Sequence, residues 1–268
     1  MAKLNIYFNG KNYSIDESAL ADAIANLEVS FNVLANGKSS EGLEFTSNGD
    51  GTCSVSGIGT CSDTDVVIPT TSPDGDTVTS IGEWAFWGCT GLTSIVIPDS
   101  VTTIGDYAFS GCTGLTSVVI PDTVTYIGTE AFRNCTGLTS IVIPDSVTTI
   151  GNYAFAGSGL TSIEIPDSVT SIGNSAFREC TSLTSVVIPD SVTSIGGYTF
   201  MSCSGLMSVT VGNSVAIIDS YAFDMCRNLA DITFNGTTTQ WNSITKKSYW
   251  NYKVPATVVH CSDGDVAL

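Results

Sequence analysis

At 268 residues the chain is long enough for two ordinary domains, but it carries 26 acidic against 9 basic residues, a formal charge of −17. That balance excludes the clustered Lys and Arg that a nucleic-acid backbone demands. No run of about 18 apolar residues is present to span a bilayer, and 43% apolar residues are ample for a buried core.

In chain order, LNIYFNGKNYSI alternates apolar residues about Asn9-Gly10 and predicts two antiparallel strands within Leu4 to Ile15. Asp16 or Ser18 then caps a helix that runs to about Leu34. Its stripe of Leu20, Ile24, Leu27, Phe31 and Leu34 is a short heptad seam, which either packs on the hairpin or makes residues 1–40 an oligomerising or docking module. The first twenty residues lack the apolar h-region of a secretory signal. A protein exposed outside a cell then has either lost its signal or travels by another route, for instance on a virion released by lysis.

Residues 41–91 begin a repeating pattern irregularly. FTSNGDGTCSVSGIGTC reads as a hairpin that covers an open strand edge, and Cys53 and Cys61 within it are the one pair to test for a disulfide. Val66 to Ile68 is a strand, and TTSPDGD is an inserted loop. From Leu92 the string LTSIVIPDSVTTIGDYAFSGCTG recurs at Leu115, Leu138, Leu160, Leu183 and Leu206, with a period of 23 residues. Self-similarity of this kind marks one supersecondary unit stacked on copies of itself, since a single unit cannot bury its own apolar face. SIVI alternates and predicts a short strand with Ile95 and Ile97 buried and Ser94 and Val96 outward. PDSV is a turn, and VTTIG with DYAF returns the chain. The unit after Phe155 reads AGSG where its neighbours read SGCTG or RNCTG, which predicts a local kink and little else. Residues 92–228 therefore form six units, and 229–268 a last partial repeat and cap containing Trp241 and Trp250.

The pattern L-x-x-I-x-I-P-x-x-V-x-x-I-G-x-x-A-F-x-x-C resembles the BspA-like leucine-rich repeats from about Gly42 to the C-terminus. The resemblance implies a right-handed leucine-rich-repeat coil with a parallel concave β-sheet, a β-rich convex side and irregular caps, used in bacterial surface adhesion and partner binding. The hairpin-helix unit is similar to N-terminal modules of phage structural proteins.

Cys89, Cys112, Cys135, Cys180, Cys203 and Cys226 share one repeat position and read as free thiols in a core column. They lack the paired short spacings of a zinc site. Asp99, Asp122, Asp145, Asp167 and Asp190 repeat at a turn, so they read as turn residues. His260, the single histidine, neighbours Cys261 on a strand where adjacent side chains face opposite ways, so no catalytic dyad follows. The reading is therefore non-enzymatic, with no cofactor and no metal.

Two surface stripes remain. Val96, Val119, Val142, Glu164 and Val187, interleaved with Ser117, Ser140 and Ser162, form a partly apolar ribbon on the concave sheet. Trp84, Tyr107, Tyr153, Tyr198 and Tyr221 share a second repeat position and either cover the Phe column or stack on sugars. The expected function is recognition of a protein or glycan on a cell surface, by a protein displayed outside the cell on a virion or a bacterium. The alternative is a structural spacer of a phage particle that contacts virion proteins, or a second copy of itself, through residues 1–40.

Overall fold

The computed structural model describes residues 4–8, 11–15 and 39–268. Leu4–Phe8 and Lys11–Ile15 pair antiparallel, with Leu4 opposite Ile15 and Phe8 opposite Lys11, as the alternation predicts. The stripe of Leu20, Ile24, Leu27, Phe31 and Leu34 lies outside the described residues. From Ser39 onward the chain is a β-solenoid whose coils share one interior.

The interior is organised on a phenylalanine spine. Phe86, Phe109, Phe132, Phe155, Phe177, Phe200 and Phe223 are each no more than 1% exposed. Their rings stack nearly parallel at 5.2 to 5.5 Å. Trp250 closes the stack edge-on at 6.4 Å from Phe223. Each ring sits where AF repeats, so the coil-to-coil spacing becomes a ring-to-ring spacing.

Three backbone ladders bind the coils, and they behave differently. At the DYAF turn every spine residue donates its amide to the next coil: Phe86 to Ala108, Phe109 to Ala131, Phe132 to Ala154, Phe155 to Ala176, Phe177 to Thr199, Phe200 to Ala222 and Phe223 to Trp250, all at 2.7 to 2.9 Å. This turn ladder is unbroken. On the VTTI side the amides point the other way, Gly105 to Ile81 and Gly128 to Ile104 at 2.9 Å. That sheet runs from the antiparallel edge Glu44–Ser47 through Thr52–Gly57 and Thr77–Ile81 to Ser171–Ile172, stops, and resumes as Ser194–Ile195, Ile217–Ile218 and Thr245–Lys246. On the SIVI side Asp65–Val67, Ser94–Val96 and Ser117–Val119 pair in parallel. A second sheet then starts at Ser185–Ile188 and continues through Ser208–Val211, Asp231–Phe234 and Val258–Cys261. Between them a single bridge, Glu164 to Val187, remains. The concave ribbon expected as one continuous sheet is therefore interrupted at the coils of Ile141 and Ile163, beside the short unit.

Close approach explains the invariant-looking glycines of the IG pattern. A Cβ on Gly128 would lie 2.6 Å from the backbone of Gly105, so the VTTI ladder closes there only without a side chain. The last coils are covered by Gly264–Ala267, antiparallel to Val258–Cys261. A short helix, Thr238–Ser243, whose Thr237 and Gln240 form a capping box, buries Trp241. That helix replaces the purely irregular cap expected.

Several sequence expectations need correction. Ser94 and Ser117 are buried rather than outward. Ser94 Oγ donates to Asp65 of the preceding coil at 2.6 Å, which turns that column toward the neighbouring coil instead of solvent. Cys53 and Cys61 are both free thiols, and Cys53 Sγ contacts the Asp76 carbonyl at 3.6 Å. In the PDSV turn the serine does the inter-coil work. Ser146, Ser168 and Ser191 donate to the Val carbonyl of the coil before at 2.6 to 2.8 Å, while Asp190 accepts the Asn213 amide at 2.7 Å.

Candidate recognition surface

The aromatic stripe lies along the turn edge, and its backbone is unusual. Trp84, Tyr107, Glu130, Tyr153, Ser175, Tyr198, Tyr221 and Tyr249 all have φ between 54 and 61°. The left-handed region costs an L-residue roughly 1–2 kcal/mol. A second left-handed position follows four residues later, as Gly88, Gly111, Asn134, Gly157, Glu179, Ser202, Met225 and Lys253. The paired reversals pack ALA-PHE inward and throw the residue before them outward. Trp84 stacks on Tyr107 with centroids 4.0 Å apart, Tyr198 on Tyr221 at 5.0 Å and Tyr221 on Tyr249 at 5.3 Å. The rings thus lie against one another as well as over the spine, and Trp84 and Tyr198 stay 49% and 42% exposed.

Residues the sequence reading missed complete this edge. Trp87 meets Trp84 edge-on at 6.0 Å, and Tyr252 meets Tyr249 the same way at 5.8 Å. Each pair sits at one end of the turn ladder, and Trp87 and Tyr252 occupy the same place in their coils, three residues after the stripe. The alignment of Tyr249 with Tyr221 was hidden because the last coil abandons the period. Midway along the edge Tyr107 neighbours Glu130, whose carboxylate raises the Tyr107 phenol above its ordinary value. Arg133 pairs with Glu130 at 2.7 Å and lies 5.8 Å from the Tyr153 ring centroid.

On the SIVI side, Val142 and Val187 are 61% and 55% exposed and flank the exposed Glu164. Val96 and Val119 are half-buried, as are Ser140 and Ser162, and Ser117 is withdrawn. The structure therefore leaves a small apolar patch about Val142, Glu164 and Val187 rather than a ribbon.

The cysteine column is inside. Cys112, Cys135, Cys180, Cys203 and Cys226 are buried, and each Sγ points at a Phe carbonyl of the coil before at 3.0 to 3.1 Å. Burial pushes the Cys112 and Cys226 thiols up to about 12 and Cys180 to about 11. Thiols held neutral in this way are poor nucleophiles. Cys89, at the open end of the column, is half-buried. His260 Nδ1 lies 2.9 Å from the Asp265 carboxylate on the exposed terminal hairpin. Among the described residues no three His, Cys, Asp or Glu side chains are grouped to hold a metal, and no described helix is long and apolar enough to cross a membrane.

The architecture has relatives. A leucine-rich repeat protein from Bacteroides ovatus is 34% identical over 74% of this chain, with a TM-score of 0.67; the chain spans 55% of that protein's length. A leucine-rich repeat protein from T. pallidum is 26% identical over 81% of this chain and 90% of its own, with a TM-score of 0.54. No curated protein matches the chain. The model of the BspA type leucine-rich repeat region matches residues 60–180 and 148–259 in six copies, covering the spine and the turn edge, and the chain belongs to that family.

Proposed function

We propose that this chain is a non-enzymatic recognition protein that binds a protein or glycan on a cell surface, displayed on the outside of a bacterium or a virion. The observation that carries the reading is the turn edge. Large rings at Trp84, Trp87, Tyr198, Tyr249 and Tyr252 remain 42 to 61% exposed in a fold that buries every other large aromatic of its spine. Aromatic residues offer wide contact area at little cost in side-chain entropy, which is why they concentrate in interfaces. The Val142, Glu164 and Val187 patch is the smaller second contact. Membership in a repeat family whose fold presents surface rather than a cleft, and thiols held neutral in the core, favour binding over catalysis.

The test is cell binding by purified protein. Trp84→Ala with Trp87→Ala is expected to lower binding at least tenfold, and Val142→Glu with Val187→Glu to lower it less. Full binding by the tryptophan pair, with an unchanged melting temperature, would move the site off the edge. A second reading rests on the hairpin at Leu4–Phe8 and Lys11–Ile15, which forms a sheet of its own apart from those of the solenoid. In that reading the array is a spacer of a phage particle and residues 1–40 make its working contact. Deleting those residues would then abolish incorporation into particles, while the remaining array bound no cell.

A further inference from the structure

The column three residues beyond the aromatic stripe reads Trp87, Ser110, Arg133, Ala156, Arg178 and Met201 in successive coils. At its middle, two arginines stand two coils apart, with the methyl group of Ala156 in the coil between them. The coil between them is the short one, and its backbone turns at Gly157, where φ is 67° and a Cβ would strike the Asn134 side chain at 2.5 Å. Between the two guanidinium groups, over the small Ala156 and Gly157, lies a recess of about 70 Å³, lined also by Tyr153 and Glu179.

Its chemistry is specific. Arg133 contacts Glu130 at 2.7 Å and Arg178 contacts Glu179 at 2.9 Å. A guanidinium carries five N–H donors in a rigid fork suited to bidentate capture of an oxyanion. The Nε of Arg178 is buried and has no hydrogen-bond partner, so this guanidinium is incompletely satisfied. Glu179 is 55% exposed and free to swing toward solvent, whereas Glu130 is 14% exposed and holds Arg133 in place.

We propose that this recess binds the carboxylate of an acidic sugar within a largely neutral glycan lying along the turn edge. The assignment rests on the recognition role proposed above and names its ligand class. Glu179 in the wall, Glu130 on Arg133 and a net charge of −17 favour a monoanion over a phosphate dianion, and disfavour a peptide carrying several acids. On either side of the recess the same edge carries stacked rings, Trp84 on Tyr107 before it and Tyr198 on Tyr221 after it, with Trp84 and Tyr198 partly exposed. The exposed parts of these rings suit the C–H surfaces of neutral sugars.

The experiment is calorimetric titration of the full chain with a hyaluronan tetrasaccharide, in which each uronate is flanked by a neutral sugar, beside chitotetraose and a glutamate dodecapeptide. The acidic tetrasaccharide is expected to bind at least tenfold tighter than either control and to weaken severalfold in 0.5 M salt. Ala156→Met fills the recess with the side chain that the equivalent position carries at Met201, and Arg178→Gln removes the unpartnered donor from a partly exposed site. Each is expected to lower affinity at least tenfold. Retained affinity in folded Ala156→Met or in Arg178→Gln, equal binding of chitotetraose, or tighter binding of the peptide overturns the proposal. If no saccharide binds the parent protein while Trp84→Ala with Trp87→Ala still abolishes cell binding, the sugar-acid assignment fails and the recognition role stands.

Discussion

The solenoid divides into two regions that hold their coils in different ways. From Thr52 to Ile172 the VTTI sheet is continuous while the SIVI pairing lapses after Val119. From Ser185 to the C-terminus the SIVI sheet is continuous, and the VTTI pairing has had to begin again at Ser194. The turn ladder and the phenylalanine spine pass through both. Coils of nearly identical sequence thus pair on one side or on the other, and the exchange happens beside the unit that lost a residue. A stacked coil has a fixed rise, so a shortened side must be absorbed by opening a ladder on another side. The buried edge that cannot open is the one with rings and thiols behind it.

Alkaline unfolding gives the largest effect and the widest separation of the two regions. A thiol whose folded value is raised toward 11 or 12, from an ordinary value of 9.0, contributes stability that is full below about pH 9 and is lost as pH rises through the folded value. Each such thiol removes about 1.4 kcal/mol per pH unit in that window. Cys180, at the junction, together with Cys203 and Cys226 in the second region, outnumbers Cys112 and Cys135 in the first. Amide exchange followed from pH 8 to 11 is expected to show the second region opening first. Replacing these three by Ser, the residue the column already accepts at Ser158, should reverse the order; an unchanged order would remove thiol ionisation as the cause.

Phe155→Ala comes next. Phe155 stacks on Phe132 and Phe177 at 5.5 Å on each side, at the coil where the SIVI sheet is interrupted and just before the VTTI sheet stops. Loss of a buried ring costs about 3–5 kcal/mol. Urea unfolding is expected to change from one transition to two. A single transition of unchanged midpoint would show that the spine does not couple the regions.

The smallest effect sharpens the comparison most. Gly128 and Gly196 hold the same repeat position, one within the continuous VTTI sheet and one just past its break. A methyl at Gly128 meets the Gly105 backbone at 2.6 Å, whereas at Gly196 the nearest atom is the Asn174 side-chain oxygen at 2.8 Å, which can move. Gly128→Ala is expected to cost about 1–3 kcal/mol, and Gly196→Ala less than half as much in the same melts. Equal costs would mean that the ladder is as closed after Ile172 as before it.

The spine, the cysteine column and both strand positions were legible because each recurs as a residue type with a single physical use. The exchange between sheets was not, since pairing depends on twist and offset accumulated over several coils while the local strings stay the same. Left-handed backbone at Tyr107 or Glu130 carried no warning either. Glycine or asparagine would have announced it, and tyrosine and glutamate do not. Thr237 and Gln240 did carry the capping signal for the terminal helix, unread beside the loss of period. The recess was visible in principle as Arg133, Ala156 and Arg178 in register, a small residue between two long ones.

A stack whose neighbours meet through the same ring at every level has no preferred number of levels. Its reach can be lengthened or trimmed in whole steps of about 5 Å without redesigning a joint, so distance from the anchoring point is a property this molecule can adjust by copying itself.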